Sequence, residues 1–380
     1  MSELDLLAVP MRAGVSSDIY SGVARMAGKL WAGRRRADGG STTVVVIVHP
    51  TSNFIGHYLL EPLSRRRVDA VGMNTRYLGN DTSLLMENCV LDIASTLAYL
   101  REDCGYERVI LVGNSGGGGL AALYQSQAER ADITATPAGD PPNLTAAELP
   151  PADGLIELMA HPGRAITYTD WLDAAIVDEQ DPFVRQADLD IFDPTNGPPY
   201  DADFVGRYRA AQVARNRRIT AWVREQLAEL PARTDGRLRD LPFVVHGTCA
   251  DPRFLDLTLE RSDREVGTLW GDAYVANLAP WTLGHHTSLR SWLSQWSLDD
   301  TNCNALRHLP RTTVPFLLIH GTADTTCTPE MSEAIYDAVG HDRKQLIGLK
   351  GARHYFEQQP ELIESAADHV VEWIRGQTFR

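Results

Sequence analysis

The first half of the chain alternates short apolar runs with longer stretches in which apolar and polar residues recur at helical spacing. Each run is rich in β-branched residues and is bounded by polar or glycine-rich turns, which is typical of a strand buried on both faces. The predicted strands are Thr42–Val48, Ala70–Asn74, the run that begins at Val109, and Gly154–Ala160. The predicted helices are Tyr58–Arg66, residues 84–102 and Leu120–Arg130. This alternation predicts an α/β fold with a doubly wound, mostly parallel sheet.

The pattern changes after residue 160 and returns near the end of the chain. Residues 161–310 are rich in Asp, Pro and Trp and hold one clear helical pattern, Phe204–Leu230. Strand and helix patterns then resume, in the order Val314–His320, Glu330–Val339, Gln345–Leu349 and Glu361–Arg375. We therefore predict a core domain formed by residues 1–160 and 311–380, interrupted by a mainly helical cap at residues 161–310.

Ser115 lies in the turn between the third predicted strand and the helix after it, within the sequence Gly-Asn-Ser-Gly-Gly at 113–117. A strand that turns into a helix on one serine holds that serine in strained backbone, so its neighbours must lack side chains. The turn places the hydroxyl at the carboxyl edge of the sheet, at the positive end of the helix dipole. The alternatives are a phosphate-binding turn, although no G-x-G-x-x-G pattern is present, and a simple tight turn. The pattern favours a nucleophilic serine.

A nucleophilic serine needs a base to take its proton and a third group to orient that base. Asp324 follows the strand predicted at Val314–His320, and His354 follows the next predicted strand. Because one helix and one strand fit between them, both side chains are expected at the sheet edge that carries Ser115. Asp251 is a rival for the acid, but no histidine-bearing strand follows it at a suitable distance. The rivals for the base are His285, His286, His320 and His369.

These segments resemble the α/β-hydrolase superfamily on both sides of the predicted cap. The resemblance rests on Gly113-Asn-Ser-Gly-Gly117, His320-Gly-Thr-Ala-Asp324 with Thr328-Pro329, and Gly351-Ala-Arg-His354. It implies that Ser115 is the nucleophile, His354 the general base and acid, and Asp324 the orienting carboxylate. Haloalkane dehalogenases and epoxide hydrolases of this superfamily carry aspartate where this chain has Ser115.

The resemblance also implies an oxyanion hole made of two backbone N–H groups. One is the amide of Gly116, directly after the nucleophile. The other is expected from the loop after the Thr42–Val48 strand, with Thr51 as the first choice and Ser52 as the second. The family usually has His-Gly in this loop, whereas this chain has His49-Pro50, and proline has no N–H to donate.

Composition and charge narrow the class of partner. The formal net charge of -14 argues against nucleic acid and anionic membranes as partners. The five cysteines are scattered without C-x-x-C or Cys/His ligand spacing, so we expect no disulfide framework, metal site or cofactor. The first residues carry acids where a signal peptide has a basic region, and no apolar run has membrane-spanning length. We therefore expect a cytoplasmic protein, with a homo-oligomer left open.

The residues of the predicted cap are the evidence in the sequence on the nature of the substrate. Its aromatic residues suit a bulky apolar or aromatic small molecule, although each of them can instead belong to the cap's own core. We expect Trp171, Trp281 and His285 to contact the substrate, and Arg164 to bind an acidic group. The leading hypothesis is a serine hydrolase that cleaves a carboxylic ester, lactone or thioester through an acyl-enzyme. The alternatives are cleavage of a carbon–carbon bond in a vinylogous diketone, and a non-catalytic hydrolase-fold protein that binds a small molecule.

Overall fold

A computed structural model describes residues 3–11 and 28–379 of the chain. The two ends of the predicted core, Met1 and Arg380, lie outside the described residues. Eight strands form one sheet: β1 Leu4–Pro10, β2 Lys29–Arg35, β3 Thr43–Val48, β4 Asp69–Met73, β5 Arg108–Asn114, β6 Gly154–Leu158, β9 Phe316–Gly321 and β10 Lys344–Leu349. Their spatial order is β1-β2-β4-β3-β5-β6-β9-β10. Strands β1 and β2 pair antiparallel, β2 pairs antiparallel with β4, and every later pairing is parallel.

Helices cover both faces of this sheet and explain why its central strands are apolar throughout. The described helices are α1 Leu60–Arg65, α2 Met86–Glu102, α3 Gly117–Glu129, α4 Arg164–Trp171, α5 Ala202–Arg233, α6 Ala273–Leu278, α7 Leu289–Ser291, α8 Ala305–His308, α9 Pro329–Ala338 and α10 Pro360–Gly376. All six residues of β3 are buried. Val44 and Val46 pack with residues of α2 and α3, whereas Val45 and Ile47 pack on the opposite face with residues of α1 and α10. The predicted doubly wound, mostly parallel fold is confirmed.

The antiparallel pair β1 and β2 is absent from the predictions made from sequence. Leu4–Pro10 mixes exposed and buried residues, and Lys29–Arg35 begins and ends in basic residues, so neither gives the continuous apolar run that marks a central strand. Arg34 in β2 is nevertheless buried and forms an ion pair of 3.2 Å with Asp5. This pair extends the sheet at the edge far from β9 and β10.

Residues 159–315 contribute no strand to the eight-stranded sheet. This stretch holds the 32-residue helix α5 and a two-stranded antiparallel pair, β7 Pro242–Val244 with β8 His286–Ser288. It has apolar clusters of its own, one of which contains Tyr168, Trp292 and Trp296. A mainly helical insertion in an α/β core is therefore present, while the boundaries at residues 160 and 310 stay a prediction.

None of the described helices combines the length and the apolarity that a bilayer span requires.

The carboxyl ends of the parallel strands meet along one edge of the sheet and bring five polar side chains to it. His49, Ser115 and His161 follow β3, β5 and β6, which are neighbours in the sheet. Asp324 and His354 come from the loops after β9, which pairs with β6, and β10, which pairs with β9. In open α/β sheets this edge is where sites form.

Candidate active site

Ser115 joins β5 to α3 in a backbone conformation that a side-chain-bearing residue rarely adopts. Its φ is 55°, which confirms the strained turn predicted from the sequence. A Cβ on Gly113 would strike the carbonyl oxygen of Gly117, and a Cβ on Gly117 would strike that of Val48. The N–H of Ser115 donates to the carbonyl of Leu158 at 3.1 Å, which ties the turn to the end of β6. Positions 113 and 117 therefore require glycine, because another segment of backbone lies where a side chain would be.

The structure brings Ser115, His354 and Asp324 into one chain of contacts. Nε2 of His354 lies 2.9 Å from Oγ of Ser115, and Nδ1 of His354 lies 2.7 Å from Oδ2 of Asp324. The N–H groups of Thr326 and Cys327 donate to the other carboxylate oxygen, Oδ1, at 2.7 and 2.9 Å. The side chains of Ser115, His354 and Asp324 are all buried. A carboxylate held in this way keeps the imidazole proton on Nδ1 and leaves Nε2 free to accept from the serine.

Asp251, the rival for the acid, lies in a different place. Its carboxylate is bound by Arg209 at 2.6 Å and by Arg253 at 2.7 Å. Burial alone would raise the pKa of Asp251, but the two guanidinium groups outweigh burial and hold that pKa well below its usual value. This aspartate therefore serves an ion-pair cluster.

Two further ionisable groups lie in this region: the thiol of Cys327, within 4.8 Å of the ligand atoms of Asp324 and His354, and Tyr355, whose ring centroid is 4.4 Å from that of His354. Burial raises the pKa of Cys327 well above its usual value and raises that of Tyr355 to about 12. Both groups consequently keep their protons near neutral pH. Since the thiolate is the reactive form of cysteine, Cys327 does not compete with Ser115 as a nucleophile.

Asp324, Cys327 and His354 are the one group of described residues whose spacing could hold a metal ion, with ligand atoms within 4.8 Å of one another. The aspartate already accepts two amide hydrogen bonds and contacts the imidazole. The imidazole in turn contacts Ser115. Asp324 and His354 are therefore already engaged with each other and with neighbouring groups of the chain.

The oxyanion donors predicted from sequence are only partly available. Within the described chain, the N–H of Gly116 donates to no protein atom, so it is free for a ligand. The N–H groups of Thr51 and Ser52 both donate to Nδ1 of His49, at 3.1 and 2.9 Å. Neither amide is free for an oxyanion in this geometry, which corrects the expectation for Thr51 and Ser52. The reason is the His49 ring, which folds back over its own loop.

Two histidines at this edge, His49 and His161, were given no catalytic role from the sequence, although each carries a signal. His49-Pro50 and His161-Pro162 are the same dipeptide at the ends of β3 and β6, the neighbours of the strand that ends at Ser115. Burial, and next the positive charge of Arg164, lower the pKa of His49 well below its usual value. The same two causes lower the pKa of His161 to about 3. Both rings are therefore neutral near pH 7.

The side chain of Arg164 is buried and hydrogen-bonded to other residues of the protein. Its guanidinium donates to Gln295 at 2.7 Å and to the Thr51 hydroxyl at 3.0 Å. It also lies 3.4 Å from Asp81. The expectation that Arg164 binds an acidic group of the substrate is therefore not supported by its position.

Glu157 is a second buried group that sequence reasoning missed, on β6 beneath the start of α3. Its Oε2 would lie 3.0 Å from a Cβ placed on Gly118. Neither carboxyl oxygen has a hydrogen-bond partner among the described residues. Burial raises the pKa of Glu157 to about 8, so it is mostly protonated at neutral pH. The signal in the sequence is a single acidic residue within the apolar strand Gly154–Leu158.

The three predicted substrate contacts, Trp171, Trp281 and His285, have other surroundings than the groove beside His354. Trp171 is buried against Phe254 and Trp270, with ring centroids 5.7 Å apart in each case. His285 is buried and its ring nitrogens contact the carbonyl of Val245 and the hydroxyl of Thr282, at 2.8 and 2.7 Å. Trp281 is 66% exposed. Trp171 and His285 are therefore held within the cap segment, whereas Trp281 faces solvent.

The groove that reaches His354 has a volume of about 370 Å³. Its lining is mostly polar and includes Asp263, Glu265, Thr268, Arg353, Glu357 and Gln359. Trp171, Trp281 and His285 do not line it. Among the described residues, no Phe, Tyr or Trp lines this groove, and of Ser115, Asp324 and His354 only His354 reaches it.

Comparisons with known proteins bear on the fold. The family model described as serine aminopeptidase, S33, matches residues 291–361, a span that contains Asp324 and His354. The α/β hydrolase GrgF from Penicillium sp. sh18 is similar in structure with a TM-score of 0.53 at 9% identity, over 98% of each chain. DcsB, solved with its substrate analogue, has a TM-score of 0.50 at 12% identity, over 99% of this chain and 100% of the other. Among curated protein sequences, none matches.

Proposed function

We propose that this chain, whose fold is similar to that of an α/β hydrolase, is a serine hydrolase that cleaves a carboxylic ester, lactone or thioester. The observation that carries this proposal is that buried Ser115 contacts His354, which in turn contacts Asp324. A hydroxyl, an imidazole and a carboxylate in this order form a nucleophile, its base and the group that orients the base.

The first half of the proposed reaction forms an acyl-enzyme. Nε2 of His354 takes the proton of Ser115 while Oγ bonds to the substrate carbonyl carbon, and the carbonyl oxygen becomes an oxyanion. The free N–H of Gly116 donates to that oxyanion. The intermediate then collapses, the leaving alcohol or thiol departs with the proton from His354, and Ser115 keeps the acyl group.

The second half returns the enzyme to its starting state. A water gives its proton to His354 and attacks the acyl carbon, and the second oxyanion collapses to release the carboxylic acid. Ser115 recovers its proton from His354. Asp324 orients the imidazole through its contact with Nδ1 and is itself held by the N–H groups of Thr326 and Cys327.

We propose a small molecule as the substrate, with a polar group on the side that faces the groove. Asp263, Glu265 and Glu357 line that groove together with Arg353, so carboxylates outnumber the guanidinium. Such a lining favours hydroxyl-bearing or cationic groups over bulky aromatic ones. The bulky apolar substrate inferred from the cap's tryptophans has no counterpart in this groove.

A substrate panel tests the proposal. Purified protein and Ser115→Ala are assayed on esters, lactones, thioesters, amides and vinylogous diketones. We expect turnover of one of the first three classes, and its loss in the variant. Diketone cleavage without ester cleavage would replace the proposal by a carbon–carbon hydrolase. Binding of panel members without any turnover would replace it by a non-catalytic binding protein.

A further inference from the structure

The two His-Pro turns that flank Ser115 have the same internal hydrogen bond. Nδ1 of His49 accepts from the N–H of Thr51 at 3.1 Å, and Nδ1 of His161 accepts from the N–H of Gly163 at 3.2 Å. In each turn the donor lies two residues after the histidine, and the proline between them has no N–H of its own. The same local geometry therefore occurs on both neighbours of the strand that carries the serine.

This hydrogen bond fixes the position of the proton on each ring. A nitrogen that accepts a hydrogen bond carries no proton, and a neutral imidazole has one protonated nitrogen. Since both rings are neutral, Nε2 of each must carry the N–H. The described residues give neither Nε2 a hydrogen-bond partner, whereas both Nδ1 atoms are engaged. Each ring thus presents one free donor.

Both free donors converge on the residue after the nucleophile. A Cβ placed on Gly116 would lie 2.9 Å from Nε2 of His49 and 3.5 Å from Nε2 of His161. The backbone N–H of His161 donates to the backbone carbonyl of Ser115, at 3.4 Å, and so holds the His161 turn against the serine. Gly116 is the residue whose own N–H is free for the oxyanion. Both imidazole Nε2 atoms therefore face the position that a side chain on Gly116 would occupy.

We propose that the Nε2–H groups of His49 and His161 complete the oxyanion hole, together with the N–H of Gly116. This inference rests on the proposed serine hydrolase function and names the donors that stabilise its tetrahedral intermediates. The resemblance to the superfamily implies a second backbone amide in the oxyanion hole. In this proposal two side-chain imidazoles take the place of that amide. A neutral imidazole can donate to a developing oxyanion in a buried site without bringing a full charge into it.

Arg164 is a positioning residue in this arrangement. Its guanidinium holds the Thr51 hydroxyl, and the N–H of Thr51 in turn holds Nδ1 of His49. The same positive charge opposes protonation of both histidines. Arg164 therefore supports both the orientation of one donor and the neutral state of the two.

Paired replacements of each histidine test the proposal. Phenylalanine removes the donor in His49→Phe and His161→Phe, while glutamine keeps a side-chain N–H in His49→Gln and His161→Gln. We expect each Phe variant to lose on the order of 10²-fold in kcat with KM nearly unchanged, because the donor acts on the transition state. Affinity for a trifluoromethyl ketone, which forms an oxyanion on Ser115, should fall by a similar factor. The Gln variants should recover much of the loss.

His308→Gln is the matched control for the loss of a buried histidine. Both of its ring nitrogens already have protein partners, Ser126 and the carbonyl of Asn302, each at 2.6 Å. This variant should keep the kcat of the unmodified protein. Ser115→Ala is measured in parallel: if it retains turnover, the proposed function fails. If it abolishes turnover while both Phe variants fold and keep kcat within about threefold, only the oxyanion assignment fails.

The unmodified protein gives an independent readout that does not depend on whether a variant folds. Nuclear magnetic resonance follows the Nε2–H protons of His49 and His161 as the trifluoromethyl ketone adds to Ser115. Both protons should move downfield as their hydrogen bonds shorten to the charged oxygen. Resonances that stay unchanged at full occupancy of Ser115 would overturn the proposal.

Discussion

Nε2 of His354 lies 2.9 Å from Oγ of Ser115, although 239 positions separate the two residues in the chain. Neither residue could be held there by local structure. Ser115 is fixed by the turn after β5 and its hydrogen bond to Leu158, and His354 by the loop after β10 and its contact with Asp324. The sheet brings the two together, and the consequences of that contact can be measured.

Replacing Asp324 by asparagine should lower kcat by about 10³-fold or more. The amide can no longer fix the proton on Nδ1 of His354, so Nε2 loses its role as base. Steady-state kinetics on the best panel substrate measure the effect. Asp251→Asn is the control, because Asp251 is bound by Arg209 and Arg253 in the cap. It should lower stability without lowering kcat, and a kcat loss confined to Asp251→Asn would reverse the assignment.

Glu157 should make the protein less stable as pH rises. Its pKa is about 8 in the folded state against an ordinary value of 4.5, so between these values the folded state holds a proton that the unfolded chain has lost. The unfolding free energy should then fall with pH by up to about 1.4 kcal/mol per pH unit. Glu157→Gln removes this contribution.

Urea unfolding of both proteins at several pH values between about 5 and 7.5 measures the difference, since this window lies between the two pKa values. The stability of Glu157→Gln relative to the unmodified protein should increase steadily across the window. Parallel curves would mean that Glu157 is not held neutral by burial.

Gly116→Ala should lower turnover while the fold is kept. The new methyl group would lie 2.9 Å from Nε2 of His49, whose ring is fixed by two amide hydrogen bonds, so the ring must shift. We expect a kcat loss of at least about tenfold, because oxyanion donors act only within a narrow range of distance. Gly206→Ala is the control: a Cβ there meets nothing within 4 Å, and alanine favours helix α5. Equal kcat values for Gly116→Ala and the unmodified protein would contradict this account.

Truncation of Trp171 should lower stability far more than truncation of Trp281. Trp171→Ala removes a buried ring that packs on Phe254 and Trp270, so we expect a stability loss of about 3 kcal/mol or more. Trp281→Ala removes an exposed ring and should change stability by less than about 0.5 kcal/mol. Chemical denaturation measures both. A raised KM with unchanged stability in Trp171→Ala would restore its predicted role as a substrate contact.

The sequence patterns that proved informative are those with a purely local physical cause. Apolar runs such as Thr43–Val48 are continuous because helices cover both faces of the strand, so periodicity alone identifies them. The glycines around Ser115 could be interpreted for the same reason, since the turn itself excludes side chains. The order of Ser115, Asp324 and His354 then followed from the order of the strands.

Features that depend on contacts between distant segments were not predictable from the pattern. Thr51 and Ser52 were reasonable oxyanion donors until the ring of His49 folded back onto their N–H groups, which no local pattern reveals. Trp171 was equally compatible with a pocket or a core, and only its neighbours decide that it packs in the cap. The repeated His-Pro dipeptide became meaningful only once β3 and β6 were seen to flank β5.

The most direct test of the central claim is covalent labelling of the unmodified protein with a fluorophosphonate, followed by peptide mass spectrometry. Oγ of Ser115 should bond to phosphorus and expel fluoride, while His354 takes the serine proton. We predict one phosphonyl group per chain, located on Ser115, with no labelling of Ser115→Ala. Labelling on another residue, or persistence of the label in Ser115→Ala, would contradict the assignment of Ser115 as the nucleophile.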